Sequence, residues 1–80
     1  MERKEVFEML TAIFRDVMDN DEIKLEENTT AEDIEEWDSL ANVQLIEKIE
    51  SVFEIKFSAY EISSWLDVGE MVDSIEKKLS

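Results

Sequence analysis

The segment Asp38-Ser39-Leu40-Ala41-Asn42-Val43-Gln44-Leu45-Ile46-Glu47-Lys48-Ile49 decides the fold of this 80-residue chain. Its apolar residues recur at three- and four-residue spacing, which predicts a helix from about Ser39 to Phe53. We expect the inward face of this helix to consist of Val43, Leu45, Ile46, Ile49, Val52 and Phe53. The first N–H groups of a helix lack intrahelical partners and lie at the positive end of its dipole. A phosphate attached to Ser39 would therefore be stabilised by its position.

A long helix and a long connection are expected before this segment. Apolar residues at helical spacing predict a first helix from Glu2 to about Asp19. Residues 20–38 are mostly polar with few apolar anchors, so they are predicted to form a long, partly ordered loop. A brief helical turn around residues 31–35, capped by Thr30, is expected within that loop.

Two further helices are expected after the segment. Residues 54–57 alternate polar and apolar side chains, but without a pairing strand they are predicted to be an extended link. A capping box of Ser58 and Glu61 should open a short third helix that ends near residue 64. A similar box of Asp67 and Glu70 should open the last helix, whose predicted buried stripe is Val68, Met71, Val72, Ile75 and Leu79.

The expected fold is therefore all-α, with residues 1–80 forming a single domain. It is a small four-helix bundle with three main helices, a short third helix and a long first loop. A chain of 80 residues buries only about 60% of its unfolded surface, so a second core or a large enclosed active site is not expected.

Composition excludes several classes of function. The chain has no Cys and no His, which removes histidine-based triads and the usual zinc ligands, and we expect no metal site. A net charge of -14 would repel nucleic acids and anionic membranes, and it favours protein partners with basic patches. A single glycine excludes Gly-rich phosphate loops. With no apolar signal core at the start and no long apolar run, we expect a soluble cytoplasmic protein. We also expect a monomer.

Taken alone, Asp-Ser-Leu is a weak signal, because Asp and Ser commonly cap helices. The chain repeats the pattern in Asp73-Ser74-Ile75, where the serine lies inside the predicted last helix and is expected to be structural. An acidic calcium-binding loop starting at Asp19 is disfavoured, because Lys24 stands where glycine is needed and Thr30 where a bidentate Glu is needed. An acidic helical interaction module without a prosthetic group remains an alternative.

The whole arrangement resembles the acyl carrier protein family, the phosphopantetheine-binding carrier proteins. The resemblance covers Val6 to Leu79 and rests on Asp38-Ser39-Leu40, the apolar residues that follow it, the link over residues 55–57 and the position of the last helix. In that family the serine receives 4'-phosphopantetheine from coenzyme A, and the terminal thiol carries acyl groups as thioesters between enzymes. The resemblance implies a covalent 4'-phosphopantetheine on Ser39 and a non-catalytic role for the protein.

The resemblance also implies roles for neighbouring residues. Asp38 would help to orient the metal and substrate of a phosphopantetheinyl transferase, and Leu40 would pack against partner enzymes. Those enzymes would include acyl-activating ligases, acyltransferases or ketosynthases. The expected partner face is completed by Ala41, Gln44, Glu47 and Glu50, and the expected acyl pocket by Val43, Ile46, Phe57, Ile62 and Trp65, with Phe53 and Tyr60 as further aromatic candidates.

Two positions depart from the common pattern of the family. Fatty-acid carriers usually have acidic residues where this chain has Ala41 and Gln44. The departure, together with Trp37 before the motif, favours a specialised free-standing carrier of a secondary-metabolite or cell-surface pathway, with acyl or aminoacyl cargo. A housekeeping carrier of fatty-acid synthesis is the alternative. The bulk of the pocket aromatics favours a short cargo.

Overall fold

The protein folds into four α-helices and one 3₁₀ turn, with no strand, in a computed structural model that describes all 80 residues. The helices are α1 (Arg3–Met18), α2 (Ser39–Phe53), α3 (Ala59–Ser64) and α4 (Val68–Leu79), and the 3₁₀ turn (Ala31–Asp33) lies in the first loop. The predicted all-α class with a short third helix is confirmed. None of the helices is long and apolar enough to cross a membrane.

Helix ends follow the local sequence. The first two long helices each end at a non-glycine residue in the left-handed conformation, Asp19 (φ 52°) and Glu54 (φ 57°). Ser58 and Glu61 form the predicted capping box of α3, with Ser58 N–H donating to Glu61 Oε1 at 2.8 Å. The box predicted for α4 is only half formed. Asp67 caps Glu70 N–H, but the Glu70 carboxylate accepts from Leu66 N–H instead of returning to Asp67.

The core lies where α1 packs against α2 and α4. Its largest fully buried side chains are Phe14, Leu10, Leu45, Ile49, Met71 and Ile75. From the first loop, Ile23 and Ile34 also reach this cluster, as apolar anchors within a mostly polar segment. The long loop is therefore fastened to the bundle at several points along its length.

Three residues predicted to face inward are exposed. In α2 the buried stripe is narrower than expected and contains Leu45, Ile46, Ile49 and Phe53, while Val43 and Val52 are exposed. Val43 lies beside Ile62 of the short α3, which contributes no buried residue and leaves Val43 partly uncovered. Val52 lies nine residues further along, about half a turn round α2, on the opposite flank of the buried stripe. Leu79 is exposed because it lies in the last turn of α4, where no further element covers it.

Candidate functional site

Ser39 is the first residue of α2, and its side chain is exposed. The helix start is fixed by Asp38, whose Oδ1 accepts from Ala41 N–H and whose backbone carbonyl accepts from Asn42 N–H, both at 2.8 Å. The backbone N–H groups of Ser39 and Leu40 donate to no atom of the chain. The hydroxyl therefore lies beside two free donors at the positive end of a helix, a setting that fits a phosphodiester.

Trp37 fixes the direction in which the loop enters α2. Its Nε1–H donates to Asn42 Oδ1 at 2.9 Å, and its ring meets Phe14 edge-on with centroids 5.0 Å apart. The tryptophan is thereby held from the helix on one side and from the core on the other. The position of Ser39 is thus set by packing as well as by the cap.

An open cavity of about 420 Å³, which we call the Ser39 cavity, adjoins the serine. Its walls come from the first loop, the start of α2, and the α3–α4 connection. The lining residues are Thr30, Ala31, Trp37, Asp38, Ser39, Asn42, Ile62, Trp65, Leu66, Asp67 and Met71. The cavity is therefore of mixed polarity and contains no basic side chain.

Trp65 forms part of the wall of the Ser39 cavity, where the α3–α4 connection lines it. Its Nε1–H donates to Ser74 Oγ at 2.8 Å, and its ring meets Phe57 edge-on with centroids 4.9 Å apart. Ser74, the serine of Asp73-Ser74-Ile75, thus supports the cavity wall from within α4. Phe57 lies behind Trp65 and lines no cavity, so its expected pocket role is reduced to support.

The other expected pocket residues are divided. A smaller cavity of about 240 Å³ is lined by Asn42, Val43, Ile46, Glu47 and Ile62, and Ile62 borders both cavities. Tyr60 is 82% exposed and Phe53 is buried in the core, so neither of them lines a cavity. The sequence-based pocket is therefore two adjoining cavities, with the isoleucine of α3 between them.

The expected partner face is also altered by the structure. Leu40 is 69% exposed, and Gln44 and Glu47 are exposed beside it. Ala41 is half-buried and packs against the core. Glu50 is held inside the protein's own structure, because its Oε2 accepts from Phe57 N–H at 2.8 Å. The side chains free to meet a partner are therefore fewer than the sequence suggests.

Arg3, the first residue of α1, bonds both the first loop and α4 and so links the two. We call its pair with Glu27 of the loop the Arg3–Glu27 clasp. Both Glu27 carboxylate oxygens accept from the Arg3 guanidinium, at 2.9 and 2.7 Å, and Arg3 also bonds Asp73, Glu76 and the Gly69 carbonyl. The bond to Glu27 is the main reason that the pKa of Arg3 is raised, and the same bond lowers the pKa of Glu27.

Backbone bonds continue this clasp toward the Ser39 cavity. Gly69 N–H donates to the Glu27 carbonyl and Val68 N–H donates to the Thr29 carbonyl, both at 2.8 Å. A Cβ on Gly69 would lie 2.7 Å from that Glu27 carbonyl oxygen, so the close approach requires glycine. These bonds hold the loop wall of the cavity, which follows directly at Thr30, against the start of α4.

Sequence reasoning missed several residues of the site. Thr30, Asn42 and Leu66 line the Ser39 cavity, and the clasp sets one of its walls. Two signals were available: an asparagine within a helix is unfavourable without a specific bond, and the only glycine of the chain lies in the first turn of a helix. The partners of these residues lie far away in sequence, so their roles needed the structure.

The comparisons with known proteins give one strong result. The chain is similar to the solution NMR structure of a holo acyl carrier protein from Geobacter metallireducens, with 42% sequence identity and a TM-score of 0.87. The similarity covers 91% of this chain and 84% of that one. No family model and no curated protein matches the chain. The similarity therefore holds for the amino-acid sequence as well as for the fold.

Proposed function

Since the chain belongs to the acyl carrier protein family, we propose that it bears 4'-phosphopantetheine on Ser39 and carries acyl or aminoacyl thioesters between partner enzymes. The observation that carries the proposal is the exposed Ser39 hydroxyl at the start of α2, beside two unpaired backbone N–H groups and an open cavity. The arm would supply a thiol to a chain that has no cysteine. The protein itself is a carrier and not a catalyst.

The attachment step uses few residues of this chain. Ser39 Oγ would form an ester bond to the pantetheine-bearing phosphorus of the coenzyme A pyrophosphate, and the P–O bond to the nucleotide would break, so that adenosine 3',5'-bisphosphate leaves. The hydroxyl proton passes to a base of the phosphopantetheinyl transferase. The free N–H groups of Ser39 and Leu40 would then be available to donate to the phosphodiester oxygens. Asp38 uses Oδ1 for the cap, which leaves Oδ2 for the metal or substrate of the transferase.

This proposal is tested by intact mass analysis of the purified apo protein after incubation with coenzyme A and a phosphopantetheinyl transferase. We expect one addition of the mass of the arm per chain. Omission of the transferase is the control. A protein that stays unmodified while a known carrier is loaded in the same reaction would point instead to an interaction module without a prosthetic group.

We further propose that the pathway is a specialised one. Ala41 and Gln44 are uncharged, and Glu50 is bonded within the protein, so Glu47 is the one unpaired acid of the expected partner face. Rim charges mainly set encounter rate and specificity. Enzymes whose basic patches are complementary to several acidic residues at the start of α2 should therefore associate slowly with this carrier.

The pathway proposal is tested with enzymes of fatty-acid elongation. We expect slow elongation on the holo protein despite efficient loading. Changing Gln44→Glu and Ala41→Asp together should raise the association rate and strengthen its salt dependence. Gln44→Glu alone is the safer variant, because Ala41 packs on the core and Gln44 does not. Elongation as fast as that on a fatty-acid carrier would favour the housekeeping alternative.

A further inference from the structure

We propose that the Ser39 cavity receives the end of the loaded arm and selects a short cargo that carries a positively charged amino group. The inference rests on the proposed function, because cargo reaches the cavity only on an arm attached to Ser39. The proposal names the class of cargo as a short aminoacyl thioester.

The two charged side chains that line the Ser39 cavity are both aspartates, Asp38 and Asp67. Asp38 and Asp67 each use Oδ1 to cap a helix, accepting from Ala41 N–H at 2.8 Å and from Glu70 N–H at 2.9 Å. Their Oδ2 atoms have no hydrogen-bond partner in the chain, and no Lys or Arg lines the cavity. An ammonium group can pair with these oxygens, whereas a carboxylate would be repelled by both aspartates.

The two tryptophans add a surface suited to the same ligand. Each indole N–H is already used inside the protein, that of Trp37 by Asn42 and that of Trp65 by Ser74. The indoles therefore offer a ligand only their rings. Aromatic rings attract a cation that approaches the ring face and also pack against a methylene stem.

Two helix ends also open on the cavity, and their dipoles favour anions. Each end is capped by an aspartate, which offsets the positive end of α2 or α4. The phosphodiester on Ser39 would occupy the free donors of α2 and add a further negative charge. The charge left for the cargo to meet is therefore negative.

The size of the cavity limits the cargo. Its volume of about 420 Å³ is at the small end of ligand pockets. Met71 forms part of its lining and is only 1% exposed, and behind it the core residues Val72 and Ile75 are fully buried. The core closes the Ser39 cavity at Met71, and the space that continues past Ile62 is the separate cavity of about 240 Å³, so the Ser39 cavity itself holds the end of the arm together with a group of a few heavy atoms.

The test compares three cargoes of similar size that differ in charge: β-alanyl, butyryl and malonyl groups. Each is transferred to the apo protein as its pantetheine conjugate from the coenzyme A form. The first readout is the change of the two indole N–H resonances relative to the unloaded holo protein. The second is the rate of thioester hydrolysis relative to the same thioester on free pantetheine.

We expect the β-alanyl form to shift both indole resonances most. It should also be protected from hydrolysis by roughly fivefold, the factor expected when the free energies of one partly exposed ion pair and one cation–π contact are added. The butyryl form should show a smaller effect and the malonyl form the smallest. Asp67→Asn keeps a capping side chain and should move the β-alanyl effect clearly toward the butyryl level, with the part due to Asp38 and the indole rings remaining. Asp21→Asn, an exposed change of the same charge outside the cavity, is the matched control and should leave it intact.

Equal shifts and equal protection for all three cargoes would overturn the inference, as would an Asp67→Asn protein that behaves like the Asp21→Asn protein. Such results would still leave the carrier function standing, since every form must first have been loaded on Ser39. Failure of loading itself would instead contradict the proposed function.

Discussion

Replacing Gly69 with alanine should destabilise the protein, although the same change in a helix is usually favourable. Alanine is preferred to glycine within a helix by about 1 kcal/mol. Here the new Cβ would lie 2.7 Å from the Glu27 carbonyl oxygen and 2.7 Å from Glu27 Oε1. The side-chain oxygen can move, but the carbonyl oxygen accepts from Gly69 N–H at 2.8 Å and can retreat only by weakening that bond.

The magnitude follows from these opposing effects. Forcing a methyl group into a packed contact costs about 1–3 kcal/mol. The helix-propensity gain is smaller in the first turn than in the interior, so we expect a net loss of about 1–2 kcal/mol. For a domain of this size the melting temperature should fall by roughly 5–15 °C. Urea denaturation followed by circular dichroism at fixed pH and salt measures the change in the free energy of unfolding.

Making Gly69→Ala in the Glu27→Ala protein separates the contact of the new Cβ with the Glu27 carbonyl oxygen from its contact with the Glu27 side chain. In Glu27→Ala the side-chain contact is absent and the carbonyl contact remains, so Gly69→Ala should still destabilise that protein by at least half as much. If Gly69→Ala instead raised the free energy of unfolding by about 1 kcal/mol, as expected for an unconstrained helix position, the reasoning would be refuted. It would mean that the first loop is not held against α4 as described.

Two further predictions concern charge. The pKa of Glu27 is lowered from its usual 4.5 by Arg3, so this carboxylate stabilises the folded state above that pH and the contribution is lost as the pH falls through the lowered value. The difference in unfolding free energy between wild type and Glu27→Gln should therefore shrink below about pH 4.5 in urea titrations; a difference that is constant with pH would contradict the ion pair. With 22 acidic and 8 basic side chains, the melting temperature should rise with ionic strength, and magnesium should act at lower concentration than sodium. A melting temperature that is flat across both titrations would show that self-repulsion does not limit stability.

The helices could be predicted because their signals are local. The start of α2 at Ser39 follows from the Asp38 cap and the apolar spacing behind it, and the structure places it at that residue. The capping box of Ser58 and Glu61 is similarly contained within one turn. Such signals depend on neighbours three or four residues away, which the sequence displays directly.

The parts that failed depend on neighbours distant in the chain. Spacing alone could not tell that Val43 would be left 56% exposed, because that depends on how much of α2 the short α3 covers. Nor could it tell that Glu50 would accept from Phe57 N–H, seven residues further along the chain. The Arg3–Glu27 clasp joins residues 24 positions apart, and no pattern in the sequence signals it.

We propose Ser39 as the one attachment point for the arm. The most direct measurement is the intact mass of wild type, Ser39→Ala and Ser74→Ala after treatment with coenzyme A and a phosphopantetheinyl transferase, with helicity recorded for each. We expect one addition on wild type and on Ser74→Ala, and none on Ser39→Ala, which should keep its helical spectrum because Asp38 supplies the cap. Modification of a folded Ser39→Ala protein would contradict it.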